Sequence, residues 1–399
     1  MKIVIFVHPS FHVSQSMPRY AKMLGVGLRS RGHEVEFWTS KKFFYQLALS
    51  ISAKKWLGYL DQYIIFPIQV KIRLRKYVPP ETLFVFADQA LGMWVPLVAK
   101  RNHVIHCHDF LAQKSAIGEI PMNKTRWTGI KYQSFIRNGF KRGENFISVS
   151  EKTRADLHAL LGRQPSSSVV IHNGLNSVYT PSLDPTSSRA KLSNLTGLNL
   201  SLGYLLHVGG NQWYKNRLGV LHIYNAWRSS DKKLPLLMIG AKPNQTLEEA
   251  QKNSPYQNDI HFLTGLSDED LHSAYAGASV FLFPSFAEGF GWPIAEAMAS
   301  GCPVITTNEV PMTEVAGNAG FFISPMPSEK EEEIEWASKA ARKIDQVLEL
   351  SFEEKEKVLA KGFLNVKRFE LQNVMDRIEN EYRKILQNQN SEIKWKSYA

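Results

Sequence analysis

The chain has 399 residues, 44% hydrophobic and 21% charged, with 48 Lys and Arg against 37 Asp and Glu and a formal net charge of +11. That length exceeds the roughly 250–300 residues that one hydrophobic core serves, and the apolar content excludes a disordered chain, so two globular domains are expected. Cys107 and Cys302 are the only cysteines, which excludes a disulfide framework or zinc-type spacing and fits a reducing compartment such as the cytoplasm.

The opening MKIVIFVHPSF reads as a first strand that soon meets His8 and Pro9; its apolar run is too short for a signal peptide. The helical pattern RYAKMLGVGLRSRG follows, then HEVEFW, LFVFA, HVIHCH and NFISVS. Strand-length apolar runs alternating with helical patterns predict βαβ units and a parallel sheet over residues 1–178. Nowhere do apolar residues run for the roughly 20 positions a membrane span needs.

Residues 41–76 interleave aromatics and aliphatics with lysines and arginines, and Asp61 is the lone acid. Residues 124–142 add six bases and no acid. Residues 1–200 hold 27 bases and 11 acids, against 21 and 26 in residues 201–399, so the excess charge belongs to the front half. Two readings fit: core-facing helices with solvated basic faces, or an amphipathic surface that meets anionic lipid. No nucleic-acid motif accompanies the charge, and nucleic acid is not an expected partner.

Residues 179–200, rich in Ser, Pro, Thr and Asn, show no sustained periodicity and read as a linker. The pattern restarts with YLLHVGG, LLMIGA, IHFLTG, SVFLFPS and PVITT, predicting a second doubly wound domain over residues 201–375. Acids crowd residues 329–335, where a helix start favours them. Residues 376–399 read as a terminal helix and loose tail, NSEIKWKSYA, returning toward the amino-terminal domain. The fold class is therefore α/β, two Rossmann-like doubly wound domains facing across a cleft, with ligands at the carboxyl ends of the strands. Dehydrogenases, transferases, epimerases and binding proteins all use such folds, so particular residues must decide.

The densest signal is FLFPSFAEGFGWPIAEAMASGCPVITT, residues 281–307. A buried strand runs into a loop with Glu288, Gly289, Phe290 and Gly291, and Trp292 and Pro293 open a helix carrying Glu296. Glycines let a backbone approach a ligand, and free N–H groups at a helix start suit an anion. Glu288 is placed to accept hydrogen bonds from sugar hydroxyls and Glu296 to grip a ribose diol.

Here the chain resembles the retaining, nucleotide-sugar-dependent glycosyltransferases of family 4, the group 1 glycosyltransferases, which have the two-domain GT-B fold. The resemblance rests on that glutamate pair, on EVPMTEVAGNAG with Glu314, on LTGLSDEDLHSAYAGASVFLFPS, on VVIHNGLNSVYTP and on HVGGNQWYKN. HCHDF carries it into the amino-terminal domain. It implies His108, Lys215 and Glu288 as catalytic residues, with Lys215 neutralising a diphosphate leaving group. Donor binding would add Gly210, Asn211, Gly289, Phe290, Gly291, Trp292 and Glu296. The acceptor side would comprise Ser14, Gln15, Ser16, Arg19 and Asp109 together with His108, whose imidazole Asp109 is positioned to orient.

Three positions depart from the family. Gly210 stands where an arginine often sits, leaving Arg217 as candidate second cation; Ser14, Gln15 and Ser16 replace a usual glycine pair; and Trp292 replaces a smaller aliphatic. His106 and His108 share a strand face and are also read as potential metal ligands. The function implied is retaining transfer of a hexose from a GDP- or UDP-sugar to a hydroxyl of a glycan or lipid-linked acceptor, in polysaccharide or glycolipid synthesis. No metal or further cofactor is expected, and the location implied is the cytoplasm or the cytoplasmic face of a membrane. Two other readings stay open: a catalytically silent sugar-nucleotide-binding subunit of a polysaccharide assembly system, and a nucleotide-sugar 2-epimerase.

Overall fold

Apolar runs such as LFVF, HVIHC and VFLF become strands whose residues are all buried, as happens when helices cover both faces of a parallel sheet. The computed structural model describes residues 1–9, 11, 16–47, 50–76, 78–79, 81–181, 184–229 and 233–398. It divides into two units, Met1–His172 with Gln372–Ala399, and Asn173–Leu371.

In the first unit the strands are β1 (Lys2–Phe6), β2 (Glu34–Trp38), β3 (Leu83–Phe86), β4 (His103–Cys107), β5 (Asn145–Ser148) and β6 (Ser167–Val170). They form one parallel sheet in the order β2-β1-β3-β4-β5-β6. The chain winds outward from β1 to one side, then returns to β3 on the other, so the winding reverses between β1 and β3. Phe6, Trp38, Phe66, Phe86 and Trp94 pack beneath this point, with Phe6 stacked on Phe86 at 4.6 Å.

The second unit holds β7 (Leu205–Gly209), β8 (Leu236–Gly240), β9 (Ile260–Leu263), β10 (Val280–Phe283), β11 (Val304–Thr307) and β12 (Phe321–Ile323). Its order, β12-β11-β10-β7-β8-β9, reverses between β7 and β10, which pair through Val280 with Leu205 and Phe281 with Leu206. In open α/β sheets such a reversal opens a crevice at the carboxyl ends of the two strands concerned. Each unit thus builds one such place from its own chain.

Three sequence expectations are corrected. Within the stretch expected as a linker, Pro185–Thr196 is a helix of the second unit, capped by the Asp184 side chain on Thr186 N–H and bound through Arg189 Nε to Gly277 O at 2.8 Å. Only Leu192 of that helix is buried, so its apolar signal is faint. The chain changes units at His172 and again after Leu371, rather than at 178 and 375. Finally, Leu371–Tyr398 is one helix, so the stretch expected as a loose tail is helical through Tyr398. Within the first unit this helix is fixed by Tyr382 Oη to His106 Nε2 at 2.7 Å and by Ser167 Oγ donating to Glu381 at 2.6 Å.

Candidate active site

In the second unit the loop after β7 carries Gly210 and Asn211 into a short turn, Trp213–Lys215, and then a helix, Arg217–Arg228. Asn216 sits between them: its Oδ1 accepts from Gly219 N–H at 3.1 Å, and its Nδ2 donates to Pro284 O at 2.9 Å. Phe286 N–H donates to Tyr214 O at 2.8 Å. These bonds tie the loops after β7 and β10 together at the winding reversal.

Lys215 and Glu288 meet there. Lys215 Nζ lies 2.8 and 3.0 Å from the two Glu288 oxygens, and Ser285 Oγ donates to Oε1 at 2.9 Å. Their side chains are 15% and 7% exposed. The ammonium also lies 5.1 Å from the Phe283 ring centroid and 5.5 Å from that of Tyr214. A nearly buried cation held beside a carboxylate can stabilise growing negative charge on a ligand without reorganising water.

The neighbouring predicted residues have distinct surroundings. Glu296, on the helix Trp292–Ala299, accepts from Tyr275 Oη at 2.9 Å. Gly291 precedes that helix at φ +100°, a conformation glycine adopts without penalty. Phe290 is buried and packs edge-on against Phe369 at 5.2 Å, while Trp292 Nε1 donates to Gly174 O at 3.3 Å. The expectation that Trp292 shapes the donor pocket thus meets an indole whose N–H is engaged by backbone.

Asn211 Nδ2 donates to Lys242 O at 2.7 Å, and its Oδ1 accepts from Arg217 Nη1 at 2.5 Å. Arg217 is 4% exposed, also bonds Ala241 O at 3.0 Å, and lies over the Phe262 ring. Burial lowers its pKa. It anchors the loop of Asn211; its Nε and Nη2 have no hydrogen-bond partner among the described residues. The imidazole of His207 beneath this loop bonds Leu282 O at 2.9 Å, and burial pushes its pKa down to about 3, so it is neutral.

In the first unit, His108 follows β4 and is 6% exposed. Its Nε2 donates to Ala87 O at 2.9 Å, which leaves Nδ1 as the unprotonated nitrogen, without a hydrogen-bond partner among the described residues. Burial lowers its pKa against the opposing influence of Asp88. Tyr20 packs edge-on at 4.4 Å. Ala87 and Tyr20 therefore orient the imidazole, and Asp109 Oδ1 accepts from the N–H of Leu111, the first residue of the next helix, at 3.1 Å. A buried neutral histidine with one open lone pair can accept a hydrogen bond from a hydroxyl.

His106 does not serve as a metal ligand here, because both its ring nitrogens are taken, Nδ1 by Tyr20 and Nε2 by Tyr382, each at 2.7 Å. Arg19 is exposed on the first turn of the helix Ser16–Ser30. Ser14 and Gln15 lie outside the described residues, and Ser16 opens the helix Ser16–Ser30.

Sequence reading missed the pair at the first unit's winding reversal. His8, just after β1, bonds Asp88, just after β3, at 2.8 Å. Burial works to raise the Asp88 pKa, but the hydrogen bonds from His8 and the Ala90 N–H, with the electrostatic pull of the neighbouring imidazoles, together outweigh it and hold the carboxyl below its ordinary value. Both border a cavity of about 340 Å³ with Met17, Gln62, Trp94 and Tyr132. The available signal was a polar residue at the end of each of two apolar strands; nothing in the sequence paired them. Ser285 and Tyr275, which hold the two glutamates, were likewise not singled out.

Two family models match the chain: that of the group 1 glycosyl transferases over residues 189–362, and that of glycosyltransferase family 4 over residues 17–178. The chain belongs to the group 1 glycosyltransferases of family 4. Among relatives, it is 36% identical over 126 residues to O-antigen chain mannosyltransferase B of Escherichia coli, covering 31% of this chain and 33% of that one. It is 24% identical over 182 residues to the lipopolysaccharide glucosyltransferase WaaG of Escherichia coli K12, covering 44% and 47%. The chain thus spans well under two thirds of the length of these curated relatives. As a fold, it is similar to the Anabaena HepE structure in complex with UDP, with a TM-score of 0.68, 17% identity, and 96% of this chain and 100% of that one covered. The glutamate pair and the Lys215 loop lie inside the matched group 1 region, and His108 inside the family 4 region.

Proposed function

We propose that this family 4 chain is a retaining glycosyltransferase that moves a hexose from a GDP- or UDP-sugar to a hydroxyl of a glycan or lipid-linked acceptor, in polysaccharide or glycolipid synthesis. The observation that carries the reading is the Lys215–Glu288 pair at the winding reversal of the second unit. The mannosyltransferase and glucosyltransferase relatives support a sugar as the transferred group. The UDP complex of a protein of similar fold supports a nucleoside diphosphate as its carrier.

In this mechanism the bond between the sugar's anomeric carbon and the β-phosphate oxygen breaks, and its electron pair stays on the diphosphate. Lys215 and the backbone N–H groups near Phe290 to Trp292 stabilise that charge. Glu288 accepts hydrogen bonds from hexose hydroxyls and holds the ring in place. The acceptor oxygen bonds the anomeric carbon on the face the phosphate leaves, its proton passes to a phosphate oxygen, and configuration is retained. No step requires a metal or a covalent carboxylate. His108 Nδ1 offers a hydrogen-bond acceptor on the acceptor side, where His8, Asp88 and the adjoining cavity offer further polar contacts and room for a sugar hydroxyl.

Transfer and donor hydrolysis measured with Lys215→Ala and Glu288→Gln test the proposal. Loss of one oxyanion-stabilising group costs about 10²–10³-fold in such reactions, the range expected of Lys215→Ala, while Glu288→Gln is expected to slow both reactions by weakening the hold on the hexose hydroxyls. Wild-type rates in both would remove the residues from the mechanism. Epimerised donor formed without acceptor would establish the epimerase instead; nucleotide binding without turnover across a broad acceptor screen would establish the silent subunit.

A further inference from the structure

The helices Ile51–Leu60 and Phe66–Lys76 are joined by a π-turn, Asp61–Ile65, in which Phe66 N–H reaches Asp61 O. Along them Trp56, Leu60, Ile64, Ile68 and Ile72 recur every fourth residue, and all five are exposed, by 68, 37, 51, 51 and 49%. In an uninterrupted α-helix a row spaced by four would drift about 160° around the axis over this length. The π-turn accommodates about one extra residue and takes back about 100°, which keeps the row on one face. The opposite face, with Phe66 and Val70, is buried in the core.

Charge borders this row on one chemical pattern. Lys54, Lys55, Lys71 and Arg75 are exposed on the same two helices. The lone acid, Asp61, is fully buried, where its carboxylate accepts the N–H groups of Phe43, Phe44 and Tyr45 at 2.9–3.1 Å. Those bonds fix a neighbouring loop whose Phe43 is 59% exposed. The patch continues onto the helix Trp127–Phe140: Tyr63 packs edge-on to Phe135 at 5.8 Å, Tyr59 lies parallel to Tyr132, and Lys131 covers the exposed Trp127. An exposed apolar face this extended marks an interaction surface in a folded protein.

We propose that this face docks on an anionic lipid surface, burying Trp56, Ile64 and Ile68 at the headgroup boundary while the flanking bases meet lipid phosphates. Charge complementarity favours lipid over a second copy of the chain, since a twofold pairing of the face would bring its basic borders together. The inference does not depend on the transfer reaction.

Flotation of the full chain with vesicles of phosphatidylcholine alone, or with about 30% phosphatidylglycerol, tests it. At about 0.1 M salt, recovery with the anionic vesicles is expected to exceed that with neutral ones by about tenfold, and to fall as salt rises. Combined Trp56→Glu, Ile64→Glu and Ile68→Glu should reduce binding about tenfold or more with an unchanged circular-dichroism melt, because all three side chains are exposed. Combined Lys54→Gln, Lys55→Gln, Lys71→Gln and Arg75→Gln should erase the preference for anionic lipid. Equal recovery on both vesicles, none on either, or binding that neither set of substitutions alters overturns the proposal. A dimer in sedimentation that the glutamate substitutions dissolve, without flotation, assigns the face to a second copy and also overturns it. Nucleotide binding is read separately by calorimetry, so failure here leaves the catalytic proposal to stand or fall by itself.

Discussion

Replacing Lys215 by Met removes the cation from a carboxylate that is only 7% exposed. Breaking a buried ion pair from one side costs about 3–5 kcal/mol, because the remaining charge stays desolvated. Ser285 still donates to Glu288 Oε1, so a loss of about 2–3 kcal/mol is expected for Lys215→Met. In a unit of this size that lowers its thermal transition by about 5–10 °C. Adding Glu288→Gln removes the stranded charge, and the methionine can lie against the Tyr214 and Phe283 rings that the lysine now covers. The double variant should therefore recover most of the loss, a coupling of about 2 kcal/mol, while remaining inactive. Scanning calorimetry of the four proteins measures this cycle. Additive losses from the two substitutions, or no shift with Lys215→Met, would refute the claim that these side chains form a desolvated pair.

Acid should weaken each unit through a buried histidine. His106 and His207 have folded pKa values pushed by burial down to about 3, from an ordinary 6.5. Because the folded pKa is depressed, their contribution is complete above about pH 6.5 and is lost as the pH falls toward 3. Each should cost about 2 kcal/mol by pH 5, seen as a falling denaturation midpoint while the native-state imidazole NMR signals stay those of the neutral ring. Protonation of either ring near pH 6 in the folded protein would contradict this. Two glycines should respond oppositely. A Cβ on Gly240, at φ +138°, would stand 2.3 Å from Gly209 O, so Gly240→Ala should cost about 1–3 kcal/mol. A Cβ on Gly210 meets only the movable end of Gln212, so Gly210→Arg should fold normally and, by supplying the cation common in the family, tighten nucleoside diphosphate binding about tenfold by calorimetry.

The sequence made the architecture readable because parallel strands buried on both faces are continuous apolar runs, as LFVF, HVIHC and VFLF are among the twelve strands of the described residues. The EGFGWP loop was readable because its glycines, proline and glutamates are local in sequence. What the sequence hid is pairing across long separations. His8 and Asp88 are 80 residues apart, Lys215 and Glu288 are 73 apart, and His106 and Tyr382 are 276 apart, and no local pattern encodes those meetings. The helix Pro185–Thr196 was hidden for a different reason: with one buried residue it has almost no apolar stripe, although Asp184, Pro185 and Gly197 are ordinary helix-end residues. The basic segment showed its composition, but not that a π-turn would phase its apolar residues onto one exposed face.

The most direct test of the catalytic account is transfer of radiolabelled hexose from a panel of GDP- and UDP-sugars, by wild type and Lys215→Ala, to a lipid-linked acceptor fraction. The account predicts one preferred donor, a product with the donor's anomeric configuration, and a rate about 10²–10³-fold lower in the variant. Inverted product, or equal rates from the two proteins, would contradict it.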